Sequence, residues 1–283
     1  MMLDDPWPEL ETIINNVMDE EAMISQKLCV LLSTGSFNPV HKGHISMMTL
    51  AKKELEELHG YRCLRAFLSP SHDEYLSQKT KWQKKHFAAG GHRINMLSAS
   101  IQEDNLDSWL GVSPFEINAK QFINFDRVAL DLKHFIETVI SRRTAARVNS
   151  EQNTSLCAVH STSSTAIGDP VITVFYVCGT DLAENCGLCR GFPSSFHDGL
   201  GVIIVPRTGE VQGNITNPDR LVYEVVTRQP TEDLSSTSAQ AYFTKKAFAN
   251  VEILCGTAVV NYCVQNELYG LHRDSSLTSC LTS

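Results

Sequence analysis

The sequence predicts an α/β fold with a doubly wound parallel sheet, and two patterns support this prediction. Short, continuous apolar runs such as residues 28–36 are typical of strands buried on both faces. Between such runs lie segments such as 45–58, where apolar residues recur every three or four positions, as on amphipathic helices. Their alternation is that of βαβ units. Further strands are predicted at 63–68, 171–178, 201–205 and 251–255, and further helices at 92–101, 121–143, 236–249 and 257–268.

Charge and hydropathy exclude several classes of protein. The chain has 283 residues, with 24 Lys and Arg against 32 Asp and Glu, which gives a formal net charge of −8. An acidic chain is a poor candidate for sequence-independent binding of nucleic acid, so we expect no nucleic-acid partner. The longest apolar runs, 171–177 and 201–205, are far shorter than the roughly 20 residues needed to cross a bilayer, so we expect no membrane association.

The chain is predicted to hold a single domain at 27–272. An acidic, helical N-terminal extension, 1–26, precedes it, and a flexible tail, 273–283, follows it. Residues 144–169 are rich in Ser and Thr, which indicates a flexible insertion in the domain. The N-terminus lacks the basic and apolar regions of a secretory signal, which favours an intracellular protein, nuclear or cytoplasmic.

The cysteines indicate reduced thiols. The chain has nine, an odd number, and most lie in apolar stretches, which suits buried thiols better than a disulfide framework. Cys186 and Cys189 form the only CxxC pair. A single pair without a nearby His is weak evidence for zinc, so no metal site formed by protein ligands is predicted.

The junction after the first predicted strand carries the motif GSFNPVHKGH, residues 35–44. Gly35 and Ser36 allow backbone N–H groups to approach a ligand closely, and His41 and His44 lie three residues apart at the start of a helix. A helix N-terminus attracts anions because its first N–H groups have no partner within the helix. Two imidazoles there can donate hydrogen bonds to phosphate oxygens and stabilise charge during transfer. The motif therefore predicts a phosphate site; the alternative is a turn cap and an exposed helical histidine.

This motif resembles the signature of the HxGH nucleotidyltransferase superfamily, and further segments are similar to those of the eukaryotic nicotinamide mononucleotide adenylyltransferases. The resemblance runs in order from about residue 28 to residue 270. The segments that carry it are SPSHDEY at 69–75, HRINM at 92–96, SWLGVSPFE at 108–116, VCGTDL at 177–182, VPRTG at 205–209, LSST at 234–237 and VNYCVQNELY at 260–269.

The resemblance implies a Rossmann-like enzyme of this superfamily that transfers AMP from ATP to nicotinamide or nicotinate mononucleotide. It also implies Mg²⁺ accompanying ATP, and a homo-oligomer. His44 would contact the α-phosphate, His41 and Arg207 would contact the other phosphates, and two aromatic rings, Phe115 and Phe192, would enclose the nicotinamide. The other residues that the resemblance assigns to substrate binding are Gly35, Ser36, Phe37, Gly179, Asp181, Ser235, Ser236 and Thr237.

Several of these residues also have a purely structural interpretation. Asp181 follows a strand, where it could accept hydrogen bonds from ribose hydroxyls, but its position equally suits a helix cap. Arg207 could bind two phosphate oxygens or remain a solvated loop residue. Residues 235–237 precede a helical run, as ordinary caps do, and the two phenylalanines could belong to the core.

The sequence departs from the family pattern in two places. Where the family has an Arg three residues beyond the Thr of its ISSTxxR segment, this chain has Gln240, which can hydrogen-bond to phosphate but has no positive charge. Lys42, Lys245 and Lys246 are candidate replacements for that charge. An insert at 82–90 follows the SPxxDxY segment, so position alone does not identify the lysine that meets the acceptor phosphate.

Two other functions are compatible with the first motif. Another HxGH nucleotidyltransferase, such as a cytidylyltransferase or a pantetheine-phosphate adenylyltransferase, would share it, but the segments at 69–75 and 92–96 argue against these enzymes. A non-catalytic nucleotide-binding or chaperone-like descendant would have lost catalysis with the change to Gln240.

Overall fold

The computed structural model describes residues 5–20, 26–154, 169–193, 199–206, 215–226 and 235–271. Within these ranges lies one sheet of six parallel strands in the order β3-β2-β1-β4-β5-β6, which confirms the doubly wound arrangement. The strands are β1 (Lys27–Gly35), β2 (Tyr61–Pro70), β3 (Leu110–Val112), β4 (Ile172–Gly179), β5 (Leu200–Val205) and β6 (Val222–Glu224). The helices are α1 (Leu10–Asp19), α2 (Lys42–Leu58), α3 (Asp73–Gln83), α4 (Gly90–Glu103), α5 (Phe115–Asn118), α6 (Phe125–Thr154), α7 (Thr180–Asn185), α8 (Ser236–Thr244), α9 (Phe248–Cys255) and α10 (Thr257–Gln265).

The order of the strands places a topological switch point beside β1. Strand β2 pairs with one edge of β1 and β4 pairs with the other. At the carboxyl ends, Gly35 of β1 lies opposite Pro70 of β2. Doubly wound sheets bind ligands in the crevice outside the carboxyl ends of the strands at such a point. The GSFNPVHKGH motif begins at the last residue of β1 and therefore lines this crevice.

Both faces of the sheet are covered, which explains why the strands are continuous apolar runs. Successive side chains of a strand point to opposite faces. Cys29 and Leu31 of β1 face a cluster that includes α2, α4, α8, α9 and α10. Leu28, Val30 and Leu32 face the opposite cluster, which includes α1 and α6.

The N-terminal helix is part of this core. Its buried residues recur every three or four positions, as the sequence of an amphipathic helix requires. They pack in the same cluster as α6, together with Trp7, which precedes the helix. The described part of the predicted extension is therefore helical and packed against the sheet. The buried residues of α1 are Leu10, Ile14, Val17 and Met18.

Residues 251–255 form the end of helix α9, so the strand predicted there is wrong. Val251, Leu254 and Cys255 are buried, at the spacing of one helical face, whereas Ile253 is 61% exposed. A short apolar run does not by itself distinguish a strand from a helix. Strands β3 and β6 were not predicted, because three residues each are too few to give a periodic signal.

Helix α6 continues to Thr154, so the first part of the predicted insertion, from residue 144, is helical. Arg143 donates to Asp19 Oδ1 at 2.6 Å, and Arg147 donates to the carbonyl oxygen of Met18 at 2.5 Å. Both contacts join α6 to the C-terminal end of α1, where cations are favourable. Residues 155–168 and the predicted tail, 273–283, lie outside the described residues, so their flexibility stays a prediction.

The described helices include none with the length and apolar character needed to cross a membrane. The cysteines in the described ranges are all free, and most of them are buried.

Candidate active site

Four segments of the chain meet at the carboxyl edge of β1 and enclose a cavity of about 320 Å³. They are the turn after β1, the start of α2, helix α3 with the loop that follows it, and the start of α8. The volume falls within the usual range for small-ligand sites. The predicted residues that line the cavity are Ser36, Phe37, His41, His44, Ser235, Ser236 and Thr237, and Gly35 precedes them as the last residue of β1.

His41 and His44 form the wall at the start of α2. His41 is the N-cap, and its backbone N–H donates to Nδ1 of His44 at 3.2 Å. The two imidazole rings stack with their centroids 3.7 Å apart, and the His44 ring lies edge-on to Phe37 at 4.8 Å. Because Nδ1 of His44 accepts a hydrogen bond, the proton of the neutral ring resides on Nε2. His44 is thus a hydrogen-bond donor of fixed orientation at a helix N-terminus.

The cavity is cationic, although the whole chain carries a net charge of −8. Lys79 of α3 and Lys85 of the following loop line it, and among the described lining residues there is no Asp or Glu. Lys79 donates from Nζ to Ser36 Oγ at 3.2 Å, and Lys85 donates from Nζ to Thr237 Oγ1 at 2.7 Å. Two ammonium groups and the positive ends of α2 and α8 therefore face one space, an arrangement that attracts anions.

The hydroxyl groups at the start of α8 already have partners within the protein. Ser235 is the N-cap and its Oγ accepts from the backbone N–H of Ser238 at 3.1 Å, as an ordinary cap does. Ser236 donates from Oγ to the carbonyl oxygen of Pro39 at 2.8 Å, which ties α8 to the turn after β1. These contacts position the N-terminus of α8 at the cavity.

Gln240 borders the cavity, but its amide is engaged by the backbone. Its Nε2 donates to the carbonyl oxygens of Asn38 at 2.7 Å and His86 at 3.3 Å, and its Oε1 accepts from the N–H of His86 at 3.1 Å. The sequence leaves the role of Gln240 open, and these contacts show that both ends of its amide bind the backbone. The amide is also buried.

The lysines considered as replacements for the missing charge are not at the cavity. Lys42, Lys245 and Lys246 are absent from its lining, whereas Lys79 and Lys85 are present. Lys42 is exposed at the first position of α2 and lies near Asp104 instead. A separate question, which lysine meets the acceptor phosphate, is left open by the sequence because the 82–90 insert stands where the family has a shorter Lys-rich stretch.

Arg93, from the HRINM segment, fixes the walls of the site. Its guanidinium is fully buried and donates to three backbone carbonyl oxygens and to Asp73 Oδ1 at 2.6 Å. Burial lowers the pKa of Arg93, while the Asp73 carboxylate acts in the opposite direction. The carbonyl groups belong to Ala88 at 3.0 Å, Ser36 at 3.1 Å and Ser71 at 2.7 Å. One side chain thus joins the end of β1, the end of β2 and the loop before α4.

Glu116 is a buried acid behind the ends of β2 and β3. It is 1% exposed and accepts a hydrogen bond from Ser69 Oγ at 2.9 Å. Burial raises the pKa of Glu116 to about 7, and the contacts with Ser69 and Arg93 lower it less strongly. This carboxyl group therefore titrates near neutral pH.

The two phenylalanines predicted to enclose a ring lie against aromatic residues of the protein. Phe115 stacks on Trp7, with ring centroids 5.3 Å apart. Phe192 is 3% exposed, and its ring meets that of Tyr176 edge to face at 6.3 Å. Phe192 thus lies in the core, as its structural interpretation expects, and a stacking role for the pair stays a prediction.

The remaining predicted residues lie away from the cavity lining or outside the described residues. Gly179 is the N-cap of α7 at the carboxyl end of β4, and Asp181 is exposed in the first turn of that helix. Neither belongs to the lining of the cavity beside β1. Arg207 lies outside the described residues, so its predicted contact with phosphate stays a prediction.

A family model described as cytidylyltransferase-like matches residues 32–240, about three quarters of the chain. The protein belongs to this family. All described residues that line the cavity fall inside the matched region of this cytidylyltransferase-like protein. The match therefore covers the candidate site as a whole.

Comparison with curated proteins finds similar chains named as adenylyltransferases. The chain is 24% identical to a nicotinamide/nicotinic acid mononucleotide adenylyltransferase of Arabidopsis thaliana, covering 86% of this chain and 91% of the relative. It is 26% identical to enzyme 1 of the same name in Saccharomyces cerevisiae, over 85% of this chain and 55% of the relative. It is 33% identical to enzyme 2 of Xenopus tropicalis over only 87 residues, 31% of this chain and 25% of the relative.

A solved structure shares the fold. This is the Plasmodium falciparum nicotinic acid mononucleotide adenylyltransferase complexed with NaAD, with a TM-score of 0.50 and 14% sequence identity. The comparison covers 86% of this chain and 98% of the other. At this identity the likeness supports the Rossmann-like architecture and nothing beyond it.

Proposed function

We infer that the protein is a mononucleotide adenylyltransferase. It would transfer AMP from ATP to nicotinamide or nicotinate mononucleotide, with NAD or its deamido form and pyrophosphate as the products. The observation that carries this inference is the cavity at the switch point, where His41, His44, Lys79 and Lys85 meet two helix N-termini. Such a cavity suits a triphosphate. The names of the relatives, which match 85–86% of this chain, support the acceptor.

The reaction needs no covalent enzyme intermediate. An oxygen of the mononucleotide 5′-phosphate attacks the α-phosphorus of ATP and forms the new P–O bond. The bond between that phosphorus and the bridging oxygen to the β-phosphate breaks, and pyrophosphate leaves with its electron pair. The protein must therefore align two phosphate groups and stabilise the charge that builds up on the phosphoryl and leaving oxygens.

His44 is the residue that we assign to the α-phosphate. Its Nδ1 is held by the backbone of His41, so Nε2 presents its proton in one direction without any need to reorient. His41 and the N-terminus of α8 at Ser235, Ser236 and Thr237 would contact the remaining phosphates, as Arg207 would. Gly35, Ser36 and Phe37 would form the floor beneath the nucleotide at the end of β1.

The residues that would bind the acceptor mononucleotide lie outside the cavity lining. Phe115 and Phe192 would enclose the nicotinamide ring, and Asp181 beside Gly179 would accept hydrogen bonds from a ribose.

We propose that Mg²⁺ binds together with ATP. The lining of the cavity offers hydroxyl and amide oxygens but no carboxylate, and the described residues contain no cluster of three or more His, Cys, Asp or Glu suited to a metal. These residues fit a Mg²⁺ ion that is coordinated mainly by phosphate oxygens and water. When bound, the ion supplies further neutralisation of phosphate charge. A homo-oligomeric state and an intracellular location stay predictions.

The deciding experiment measures pyrophosphate release from ATP, Mg²⁺ and nicotinamide mononucleotide, together with NAD formation. We expect equimolar products from the wild-type protein and a loss in kcat/KM of roughly 100- to 1000-fold for His44→Ala, because a preorganised donor to the phosphate is removed. His134→Ala, at an exposed position of α6, is the matched control and should retain activity.

Folded protein that binds ATP but releases no pyrophosphate with either mononucleotide would overturn the proposal. Assays with CTP in place of ATP, and with pantetheine phosphate as acceptor, would then test the two related nucleotidyltransferase activities. ATP binding with no turnover for any acceptor would favour a non-catalytic nucleotide-binding protein.

A further inference from the structure

The segment that precedes α1 is anchored in the core by Trp7. This residue is 1% exposed, and its ring meets the ring of Phe67, in β2, edge to face at 5.4 Å. Its backbone is held as well, because its N–H donates to Asp5 Oδ1 at 3.0 Å and its carbonyl oxygen accepts from the N–H of Leu10 at 3.1 Å. The indole therefore has one fixed position.

Trp7 also stacks on Phe115, the first residue of α5. The two ring centroids are 5.3 Å apart and the ring planes meet at 21°, which is a stacked geometry. Phe115 is half-buried, whereas Trp7 is almost completely buried. The pair thus has an inner ring, Trp7, and an outer ring, Phe115, and the outer ring is the one that a ligand can reach.

One hydroxyl group joins the backbones on which the two rings are carried. Ser113 donates from Oγ to the carbonyl oxygen of Pro6 at 2.6 Å, and the same Oγ accepts from the N–H of Phe115 at 3.2 Å. Ser113 is itself fully buried, and its N–H donates to the carbonyl oxygen of Leu68, in β2, at 3.0 Å. The segment before α1 therefore fixes both the ring and the backbone of Phe115.

Phe115 stands on the same edge of the sheet as the cavity. Helix α5 begins three residues after the last residue of β3, and Glu116 accepts a hydrogen bond from Ser69 near the carboxyl end of β2. Strand β2 pairs in turn with β1, where the cavity lies. Ligands of doubly wound sheets bind along this edge, so the outer ring faces the region beside the phosphate cavity.

We propose that Trp7 is a positioning residue for the acceptor, because it holds Phe115 in the orientation in which the phenyl ring stacks on the nicotinamide ring. The proposal rests on the proposed function for the identity of the acceptor. Phe115 begins a helix of only four residues, and its stack on Trp7 limits the orientations of its side chain. The entropy of ordering that ring is then lost on folding and not on binding, which favours affinity.

The first test compares two ligands that differ in the nicotinamide ring. Nicotinamide mononucleotide and ribose 5-phosphate share the ribose and the phosphate, and titration calorimetry measures the binding of each to the full chain. Trp7→Leu should weaken the binding of nicotinamide mononucleotide roughly 3- to 10-fold, as the loss of one aromatic pair does, and leave that of ribose 5-phosphate unchanged. Trp7→Phe keeps a stacked ring and should restore most of the affinity.

Steady-state kinetics provide a second measurement on the same variants. In Trp7→Leu the KM for nicotinamide mononucleotide should rise in parallel with the dissociation constant, while kcat and the KM for ATP change by less than about twofold. A purely structural role would instead lower the fraction of folded enzyme, and therefore kcat, without a change in KM. Trp7→Met, which keeps more of the apolar volume, replaces Trp7→Leu if that variant does not fold.

Ile14→Ala controls for loss of packing, because it truncates another fully buried residue of the same apolar cluster. It should leave the KM for the mononucleotide unchanged. An equal rise of this KM in Ile14→Ala, or a wild-type value in Trp7→Leu, would overturn the role of Trp7. Tighter binding of the mononucleotide in Trp7→Leu would show that the indole occupies the place of the ligand ring, and it would overturn the proposal as well.

A double-mutant cycle tests whether Trp7 acts through Phe115. Phe115→Leu should weaken the binding of nicotinamide mononucleotide at least as much as Trp7→Leu does, and the double variant should bind no more weakly than Phe115→Leu alone. Losses that add would show that Trp7 acts independently of Phe115, and the positioning role would be wrong.

The measurements separate failure of this proposal from failure of the proposed function. NAD formation by the wild-type protein, with an unchanged KM for the mononucleotide in Trp7→Leu, would reject the role of Trp7 and keep the activity. Binding of nicotinamide mononucleotide that depends on Trp7, in a protein that forms no dinucleotide, would keep the role of Trp7 and reject the activity.

Discussion

Glu116 retains a proton at pH values where an exposed glutamate has lost it, because burial raises its pKa from the usual 4.5 to about 7. The folded protein therefore binds this proton more tightly than the unfolded chain does. The resulting contribution to stability is fully present below pH 4.5 and is lost as the pH rises through 7. It amounts to about 3 kcal/mol.

Glu116→Gln should remove this dependence, because an amide does not titrate. We expect the free energy of unfolding of the variant to gain about 3 kcal/mol relative to the wild type when the pH is raised from 4.5 to 8. Urea unfolding of both proteins at the two pH values measures the change, and taking the difference cancels the contributions of the histidines. Glu11→Gln, at an exposed position, should show no such change. A constant difference between Glu116→Gln and wild type would contradict the raised pKa.

At single residues, the sequence indicated which side chains line the cavity better than it indicated the contacts that hold them in place. His41 and His44 were predicted at the mouth of a helix because the chemistry of the site and the local pattern coincide there. The sequence leaves the role of Gln240 open, whereas the structure shows its amide bound to the backbone of Asn38 and His86. The partner of a buried amide depends on which distant segment is folded against it, and Lys85 was missed for the same reason.

Among the elements, helix α1 is part of the core, although the acidic N-terminal sequence predicted an extension outside the domain. Its buried face packs in one cluster with α6 and the sheet, and Arg143 and Arg147 join its C-terminal end to α6. The helix therefore contributes to the stability of the whole core. Its removal would expose an apolar face of the domain.

Ile14→Ala tests this contribution. A fully buried Ile reduced to Ala leaves a cavity, so the free energy of unfolding should fall by about 2–5 kcal/mol. Thr12→Ala, on the exposed side of the same helix, should change it by less than about 0.5 kcal/mol. Urea unfolding of the full chain measures both values, and equal effects of the two substitutions would show that α1 does not share the core.

The elements that were predicted correctly carry a long or repeated pattern. Strand β1 and helix α2 have continuous or periodic apolar sequence over many residues, and their faces match the observed clusters. The strand predicted at 251–255 is wrong because five residues are too few to distinguish the two-residue period of a strand from the 3.6-residue period of a helix. The polar part of α6 beyond residue 143 makes contacts with α1 through Arg143 and Arg147. Contacts between distant segments leave no pattern in the local sequence.

Across the whole molecule, the cavity depends on segments that are far apart in sequence. The residues that line it range in sequence from Ser36, after β1, to Gln240 in α8. A ligand that contacts all of them can bind only when the domain is folded, so binding and global stability are linked.

ATP alone should therefore stabilise the protein against unfolding. At a concentration 100 times its Kd, we expect a gain of about 2.7 kcal/mol in the free energy of unfolding. Urea unfolding with and without ATP and Mg²⁺, in the absence of acceptor, measures the gain. His44→Ala should gain less at the same ATP concentration because its affinity is lower, whereas an unchanged midpoint for wild type at saturating ATP would show that the cavity is not the nucleotide site.

Arg93 has a consequence for how this chain can vary through evolution. Three of its partners are main-chain oxygens, at Ser36, Ser71 and Ala88, and every amino acid offers the same oxygen at those positions. The side chains at those positions take no part in the bonds to Arg93, so the junction itself does not determine which residue stands there. Asp73 and Arg93 are joined through their side chains, so neither can be exchanged alone. The junction therefore imposes joint retention on the Asp73–Arg93 pair in its descendants, while packing and the cavity set the residues allowed at the other three positions.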